Sequence, residues 1–340
     1  MSIFKKQRLG IDLGTANTVM YLEGKGIVLR EPTMIARDIQ TKELIAFGKE
    51  AKDLIGKTSE NIEIIYPIQK GVIHHFELTK QLLTHFIQKA SVKAIGRPEV
   101  VIAAPTNITK VERKAFIDAI RELGVHRAMI AEAPFAAAIG ADIHFYAPLG
   151  RLIVDIGGGT TDIATLSYGE IVDKATISIG TQQMNQMIMT YVREHLGMII
   201  GPQTAEHIKN TIGNAAYDEH DLNEKMIVKG QDIATRTPIE KEVSESLLAQ
   251  ALNEVIEQIT MKIREVLSVT PPELAADILS HGMSLCGGGA LLKRLPQRLS
   301  QDVGVPVHIV QTPMDVVAIG AGRLLDQMQH YSKQIELSNR

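Results

Sequence analysis

The chain has 340 residues, of which 45% are hydrophobic and 22% charged, with a formal net charge of −3. That length suits two domains or one bilobed unit, and the near-neutral charge gives no global reason to bind nucleic acid. Tryptophan is absent, so the core is largely aliphatic; Cys286 is the only cysteine, which excludes an intramolecular disulfide and a Cys-rich metal site and suits a reducing compartment.

In chain order, the basic start Met1–Arg8 lacks a following apolar segment and does not read as a signal peptide. No run of about 18 apolar residues occurs that would span a membrane. Leu9–Leu13 and Val19–Leu22 read as two strands of a meander, and Gly26–Ala36 as a strand pair broken at Pro32. Lys49–Ile55 suits a short helix. Leu78, Leu82, Phe86 and Ala90 lie four apart, which predicts a helix over Leu78–Ala90. Val100–Ala104 is a buried-strand run ended by Pro105. Thr109–Leu123 is a helix with a capping box between Thr109 and Glu112.

A strand at Ala128–Ala131 and a small-residue helix at Ala133–Ala141 complete the first half. Pro148 and Gly150 mark a boundary near 140–150, after which strands and helices recur in the same order. The repetition predicts α/β layers built twice. Helices are expected at Thr181–Leu196, Thr204–Ala215, Ser244–Leu267 and Pro271–Leu279. The polar stretch Asp218–Thr237 suggests a small hairpin subdomain turning at Lys229–Asp232, and Gln329–Arg340 reads as a tail.

The most informative pattern is a repeat. Gly10-Ile11-Asp12-Leu13-Gly14-Thr15-Ala16-Asn17-Thr18 returns, altered, as Val154-Asp155-Ile156-Gly157-Gly158-Gly159-Thr160-Thr161-Asp162. Each copy runs from an apolar strand through an Asp and a glycine turn into hydroxyl residues. Glycine lets backbone N–H groups approach a ligand, threonine adds donors, and an Asp at the strand end can hold Mg²⁺ through water. One such turn is an ordinary hairpin; two suggest a clamp on the phosphates of one nucleotide.

A third glycine cluster, Leu285-Cys286-Gly287-Gly288-Gly289-Ala290-Leu291-Leu292, reads as a strand leading to a helix that starts near Leu291 and aims its N–H groups at a ligand. Alone it is equally an ordinary strand–turn–helix corner. Glu206 and Lys209 lie three apart on one helix face. The carboxylate can accept a ribose hydroxyl and the lysine stem can cover a base, although alone such a pair is commonly a solvated ion pair.

These motifs resemble the actin/Hsp70/sugar-kinase superfamily and, more closely, the MreB family of bacterial actins. The resemblance runs through nearly the whole chain. It also rests on Gly56-Lys57-Thr58, Gly71-Val72-Ile73, Val111-Glu112-Arg113, Pro134 with Ala136–Ala141, Thr204-Ala205-Glu206, Pro271-Pro272-Glu273-Leu274 and Val317–Gly322. It implies two α/β domains, each a mixed five-stranded sheet with flanking helices, around a cleft that holds ATP and Mg²⁺. Domain I would cover 1–145, with a small subdomain at about 32–75 and a returning helix at about 315–328. Domain II would cover 146–314, with a small subdomain at about 180–245.

The resemblance further implies roles for individual residues. Thr15, Ala16 and Asn17 would cradle the phosphates from one side, and Gly157, Gly158, Gly159 and Thr160 from the other. Glu206 and Lys209 would meet the ribose and base, with Gly288, Gly289, Ala290 and Leu291 at the adenine. Asp12 and Asp155 would hold the metal's waters. The implied partners are further copies of the chain in head-to-tail, paired protofilaments, the inner face of the cell membrane, and membrane proteins of cell shape and wall synthesis. The implied location is cytoplasmic and peripheral on the membrane.

This chain departs from the family's pattern at three places. Glu-Glu-Pro becomes Glu132-Ala133-Pro134, so Ala133 stands where the acid that positions the attacking water is expected. Glu132 points to the opposite face of a strand, and Thr161 is the remaining candidate to orient water; hydrolysis is therefore expected to be slow or absent. Gly-Gly-Asp-x-x-Asp-Glu becomes Gly180-Thr181-Gln182-Gln183-Met184-Asn185-Gln186, and His74-His75-Phe76 replaces Ala-Asp-Phe. The departures suggest a divergent paralogue of the MreB, Mbl or MreBH type. For membrane contact, the candidates are Ile3 and Phe4 beside Lys5, Lys6 and Arg8, and the loop Ser91–Pro98; a frayed terminus and a plain loop are equal alternatives. A sugar- or acetate-type kinase on the same fold is the competing reading.

Overall fold

The computed structural model describes residues 8–57, 61–90, 98–106, 108–122, 124–125, 127–144, 146–218, 220, 222–324 and 335–337. The apolar-basic segment at the N-terminus, most of the loop Ser91–Pro98 and nearly all of the tail lie outside the described residues.

Two sheets repeat one plan, five strands in the second as expected and six in the first, where Ile335–Leu337 of the expected tail pairs antiparallel with Met129–Ala131 as an added edge strand. The first runs in the order Ile335–Leu337, Arg127–Glu132, Glu99–Ala104, Arg8–Leu13, Asn17–Leu22, Gly26–Pro32; the second runs Glu170–Ile177, Thr161–Ser167, Arg151–Ile156, Met283–Cys286, Val307–Ile309. In each, the strand carrying the motif Asp pairs antiparallel with the next strand and parallel with a later one. Residues on both faces of Arg8–Leu13 and Arg151–Ile156 are buried, as expected for central strands covered by helices on each side. The parallel pairing places both Asp-bearing strand ends, and the glycine turns after them, at the same edge of each sheet.

Two small three-stranded sheets sit on this frame. One is Leu44–Phe47, Ile35–Asp38, Ile62–Ile65; the other is Met198–Ile199, Lys225–Asp232, Pro238–Ser244. The expected turn at Lys229–Asp232 is corrected here: those residues end a strand, and the chain reverses at 233–237. Asp232 directs the reversal, its carboxylate accepting from the Ala234 and Thr235 N–H groups at 2.9 Å each.

The helices start where capping chemistry allows. Thr109 Oγ1 accepts from the Glu112 N–H at 3.2 Å while Glu112 accepts from the Thr109 N–H at 2.6 Å, completing the capping box of Lys110–Arg121. Thr181–Leu196 forms as expected, and Pro202–Ile212, Glu245–Val269 and Pro272–His281 lie within a few residues of the expected spans. The helix expected from Leu291 does not start there. Gly288–Leu291 is a single 3-10 turn, and the helix begins at Leu295 after Arg294 adopts a left-handed conformation, φ 59°. Its N-terminal N–H groups therefore do not serve the third glycine cluster.

Helix Val316–Leu324 packs on helix Ala133–Gly140 and on strand Arg8–Leu13. Small residues set the separation: a Cβ on Gly320 would lie 1.7 Å from the Ala136 carbonyl oxygen, and one on Gly140 1.9 Å from that of Val316. Backbone meets backbone, which explains the alanine-glycine composition of both helices. Among the described residues no helix is long and apolar enough to cross a membrane.

Candidate nucleotide site

The two Asp–Gly hairpins face each other at the floor of the cleft between the sheets. Each turn closes with the same bond, Gly14 N–H to Asn17 O at 3.1 Å and Gly157 N–H to Thr160 O at 2.9 Å. A Cβ on Gly158 would lie 2.4 Å from the Ala16 Cβ, and one on Gly159 2.7 Å from Thr15 Oγ1. Only glycine lets the turns come this close. Between them is a narrow cavity of about 110 Å³ lined by Asp12, Thr15–Asn17, Asp155, Gly157–Thr160, Asp162 and Ala133, among others.

Two wider chambers open from it. One, of about 320 Å³, is lined by Glu206, Lys209, Asn210, Gly213, Gly288, Gly289, Leu291 and Met314. The other, of about 390 Å³, lies between Met34, Ile55 and Tyr66 on one side and Gln182, Asn185 and Met189 on the other. Asn17 and Thr181 line all three cavities. The structure thus brings nearly all the residues expected to meet nucleotide or metal to one cleft; among these Ala290 is the exception, buried behind the chamber that Leu291 faces.

The cavity floor is acidic, and its carboxyls are buried. Burial raises the Asp12 carboxyl to about 7, with Asp162 and Asp315 adding repulsion. Burial also pushes Asp155 well up, reinforced by the charges of Asp12 and Asp162. Among the described residues no ion pair neutralises Asp12 or Asp155, and no cluster of three acidic or His/Cys side chains is arranged to chelate a metal directly. Two buried, unneutralised carboxylates without a third ligand suit Mg²⁺ that keeps its water shell.

Glu206 and Lys209 do not pair with each other. Glu206 Oε2 accepts from Lys52 Nζ at 2.6 Å across the cleft, and Lys209 Nζ donates to Asn185 Oδ1 at 2.8 Å and to the Thr181 carbonyl at 3.3 Å. Burial lowers the Lys209 ammonium to about 8. Glu132 faces away from the cavity, both its carboxylate oxygens within 2.7 Å of Lys174 Nζ. The Thr161 hydroxyl donates to the Ile179 carbonyl at 2.8 Å and does not line the cavity either, whereas Ala133 does.

Asp162 is the residue that sequence reasoning missed. It is buried, lines the cavity, and accepts from Thr176 Oγ1 at 2.5 Å and the Thr106 N–H at 3.2 Å. A signal was present: aligning the two hairpins puts Asp162 opposite Val19, a charged residue at a buried strand position.

Two α/β halves, each presenting an Asp–Gly hairpin to a shared cleft, define the actin-like fold. The chain belongs to the MreB/Mbl family, whose profile, described as MreB/Mbl protein, matches residues 6–333. It is 41% identical to the cell shape-determining protein Mbl of Bacillus subtilis over 327 residues, covering 96% of this chain and 98% of that one. It is 38% identical to the cell shape-determining protein MreB of Escherichia coli, over 94% of this chain and 93% of that one. The crystal structure of MreB5 of Spiroplasma citri bound to AMPPNP superposes with a TM-score of 0.91 at 33% identity, covering 97% of this chain and 98% of that one. The double helical filament of MamK, 20% identical with a TM-score of 0.77, shares the fold. Membership in this family sets aside the kinase alternative.

Proposed function

We propose that this chain binds ATP with Mg²⁺ in the cleft and, in that state, assembles into filaments that help set cell shape. The observation that carries this reading is the meeting of the two Asp–Gly hairpins over one acidic cavity. MreB5, 33% identical, has been crystallised with AMPPNP and with ADP, which supports it. The relatives Mbl and MreB are cell shape-determining proteins.

In this reading the N–H groups of Thr15–Asn17 and Gly157–Thr160 hold the phosphates from two sides. Glu206 takes a ribose hydroxyl once it leaves Lys52, the Lys209 stem covers the base, and Gly288, Gly289, Ala290 and Leu291 form the wall beneath it. Asp12 and Asp155 hold the waters of Mg²⁺, which when bound offsets the phosphate charge. Ala133 offers no acceptor for a water, so hydrolysis is slower than in a member with Glu at this place. Residues 1–145 with the helix near 315–328 form one domain and 146–314 the other, and nucleotide binding draws them together.

Head-to-tail contacts between copies do not close on themselves, so they extend into protofilaments. Paired protofilaments lie in the cytoplasm against the inner membrane face, beside membrane proteins of wall synthesis. Ile3 and Phe4 with Lys5, Lys6 and Arg8 give a weak interfacial anchor that the polymer multiplies.

Titration with a fluorescent ATP analogue, with Mg²⁺ and with chelator, tests the cleft. Saturable binding that weakens on chelation and in Asp155→Ala is expected. Equal binding in all three conditions, or none, overturns the reading.

A further inference from the structure

We propose that Asp162 supplies the carboxylate that receives the attacking water in ATP hydrolysis, in place of the side chain that Ala133 lacks. The inference rests on the reading of the cleft as an ATP site. Phosphoryl transfer to water needs an acceptor that orients the nucleophile, and a positioned carboxylate serves.

The other acids near the cavity floor are already engaged. In the ATP reading Asp12 and Asp155 would hold the metal's waters, and Glu132 is held outward by Lys174. Thr161 spends its hydroxyl proton on the Ile179 carbonyl. Asp162 remains, lining the same cavity as Ala133 and Thr160.

Its orientation is built. Oδ1 accepts from the Thr176 hydroxyl at 2.5 Å and the Thr106 N–H at 3.2 Å, and the two threonine hydroxyls meet at 2.7 Å. The Thr160 hydroxyl, which also lines the cavity, adds a further hydrogen bond to the carboxylate, so Asp162 is presented to the cavity beside that hydroxyl. Thr106 follows the strand Glu99–Ala104 in the first half, whereas Asp162 and Thr176 belong to adjacent strands of the second. One of the bonds that aim the carboxylate, from the Thr106 N–H, therefore crosses between the halves, which links its orientation to their closure.

In the step proposed, the water oxygen bonds to the terminal phosphorus. The bond from that phosphorus to the bridging oxygen breaks, leaving its electron pair on ADP. The water's proton passes to Asp162 and then to the released phosphate.

The test compares the unaltered protein, Asp162→Asn, and Asp162→Asn with Ala133→Glu. It reads phosphate release and, by calorimetry, affinity for AMPPNP and for ADP with aluminium fluoride, which imitates the transferring phosphoryl group. Asp162→Asn is expected to slow release by about a hundredfold and to weaken the aluminium fluoride complex by a similar factor, with AMPPNP affinity nearly unchanged. Ala133→Glu is expected to restore both. Should Asp162→Asn fail to fold, Thr176→Val, which frees the carboxylate without removing it, is expected to slow release by about tenfold with AMPPNP still bound. Release and aluminium fluoride affinity within threefold of the unaltered protein overturn the proposal. So does an unaltered protein that binds AMPPNP and releases no phosphate. An unaltered protein that binds no nucleotide overturns the ATP reading as well.

Discussion

Lys52 Nζ meets Glu206 Oε2 at 2.6 Å, joining the helix Lys49–Asp53 to the helix Pro202–Ile212 across the mouth of the cleft. Gln203 Nε2 adds a bond to the Lys52 carbonyl at 2.6 Å. Both charged side chains are about a third exposed, so solvent screens the pair and it is worth only about 0–1 kcal/mol. It is a clasp weak enough for a ligand to open. At the cleft floor the matching contacts are Thr106 to Asp162 and Lys174 to Glu132.

If Glu206 must leave Lys52 to reach a ribose, the clasp competes with nucleotide. Lys52→Ala is expected to tighten ATP binding by about two- to fivefold, the range such a pair allows. Fluorescent-nucleotide titration reads this directly. Weaker binding in the variant would show that Lys52 helps to hold the nucleotide instead.

Lys209 gives a pH signature. In the folded chain burial lowers its ammonium to about 8, while the unfolded lysine keeps its proton to about pH 10.4. Between these values the unfolded state binds more protons, so this group's contribution to stability rises with pH. Below the folded value its cost is fully present. Urea unfolding at about pH 8 and about pH 9.5 should show Lys209→Met gaining about 1–2 kcal/mol less than the unaltered chain between the two. Equal gains would mean that Lys209 is not buried as a strained cation.

Gly158→Ala places a methyl group 2.4 Å from the Ala16 Cβ and 3.0 Å from its nitrogen. The hairpins must then separate. The expected result is loss of most nucleotide binding with a fall in stability of about 1–3 kcal/mol, read by titration and thermal melting. Gly320→Ala meets the Ala136 carbonyl at 1.7 Å. Since both partners are helix backbone, the loss of stability is expected to reach or exceed the upper end of that range.

What the sequence disclosed and what it hid follow from the reach of the interactions. The hairpins at Asp12 and Asp155 were legible because strand, turn and hydroxyl residues are contiguous. The capping box at Thr109 and Glu112 was local as well. Gly230 misled the reading of the second small sheet, since a glycine there suggested a turn. In the fold it sits within a strand, where a Cβ would lie 2.6 Å from both the Ile199 carbonyl oxygen and Met198 Cγ. The helix expected from near Leu291 begins later because the chain first makes a 3-10 turn and then passes through positive φ at Arg294, a backbone state the side-chain pattern does not announce. Lys52 escaped notice because its partner is distant in sequence, and Asp162 because its charge at a buried strand position stands out only once the two hairpins are aligned. The 154 positions between Lys52 and Glu206 carry no periodic trace.

Sedimentation of the purified protein with ATP, with ADP and without nucleotide, with released phosphate measured in the same tubes, tests the central claim most directly. ATP-dependent pelleting with phosphate release slower than that of a relative carrying Glu at the Ala133 position is the predicted result. Protein that stays in the supernatant under all three conditions, across salt and with anionic liposomes present, would contradict the account of an ATP-controlled filament.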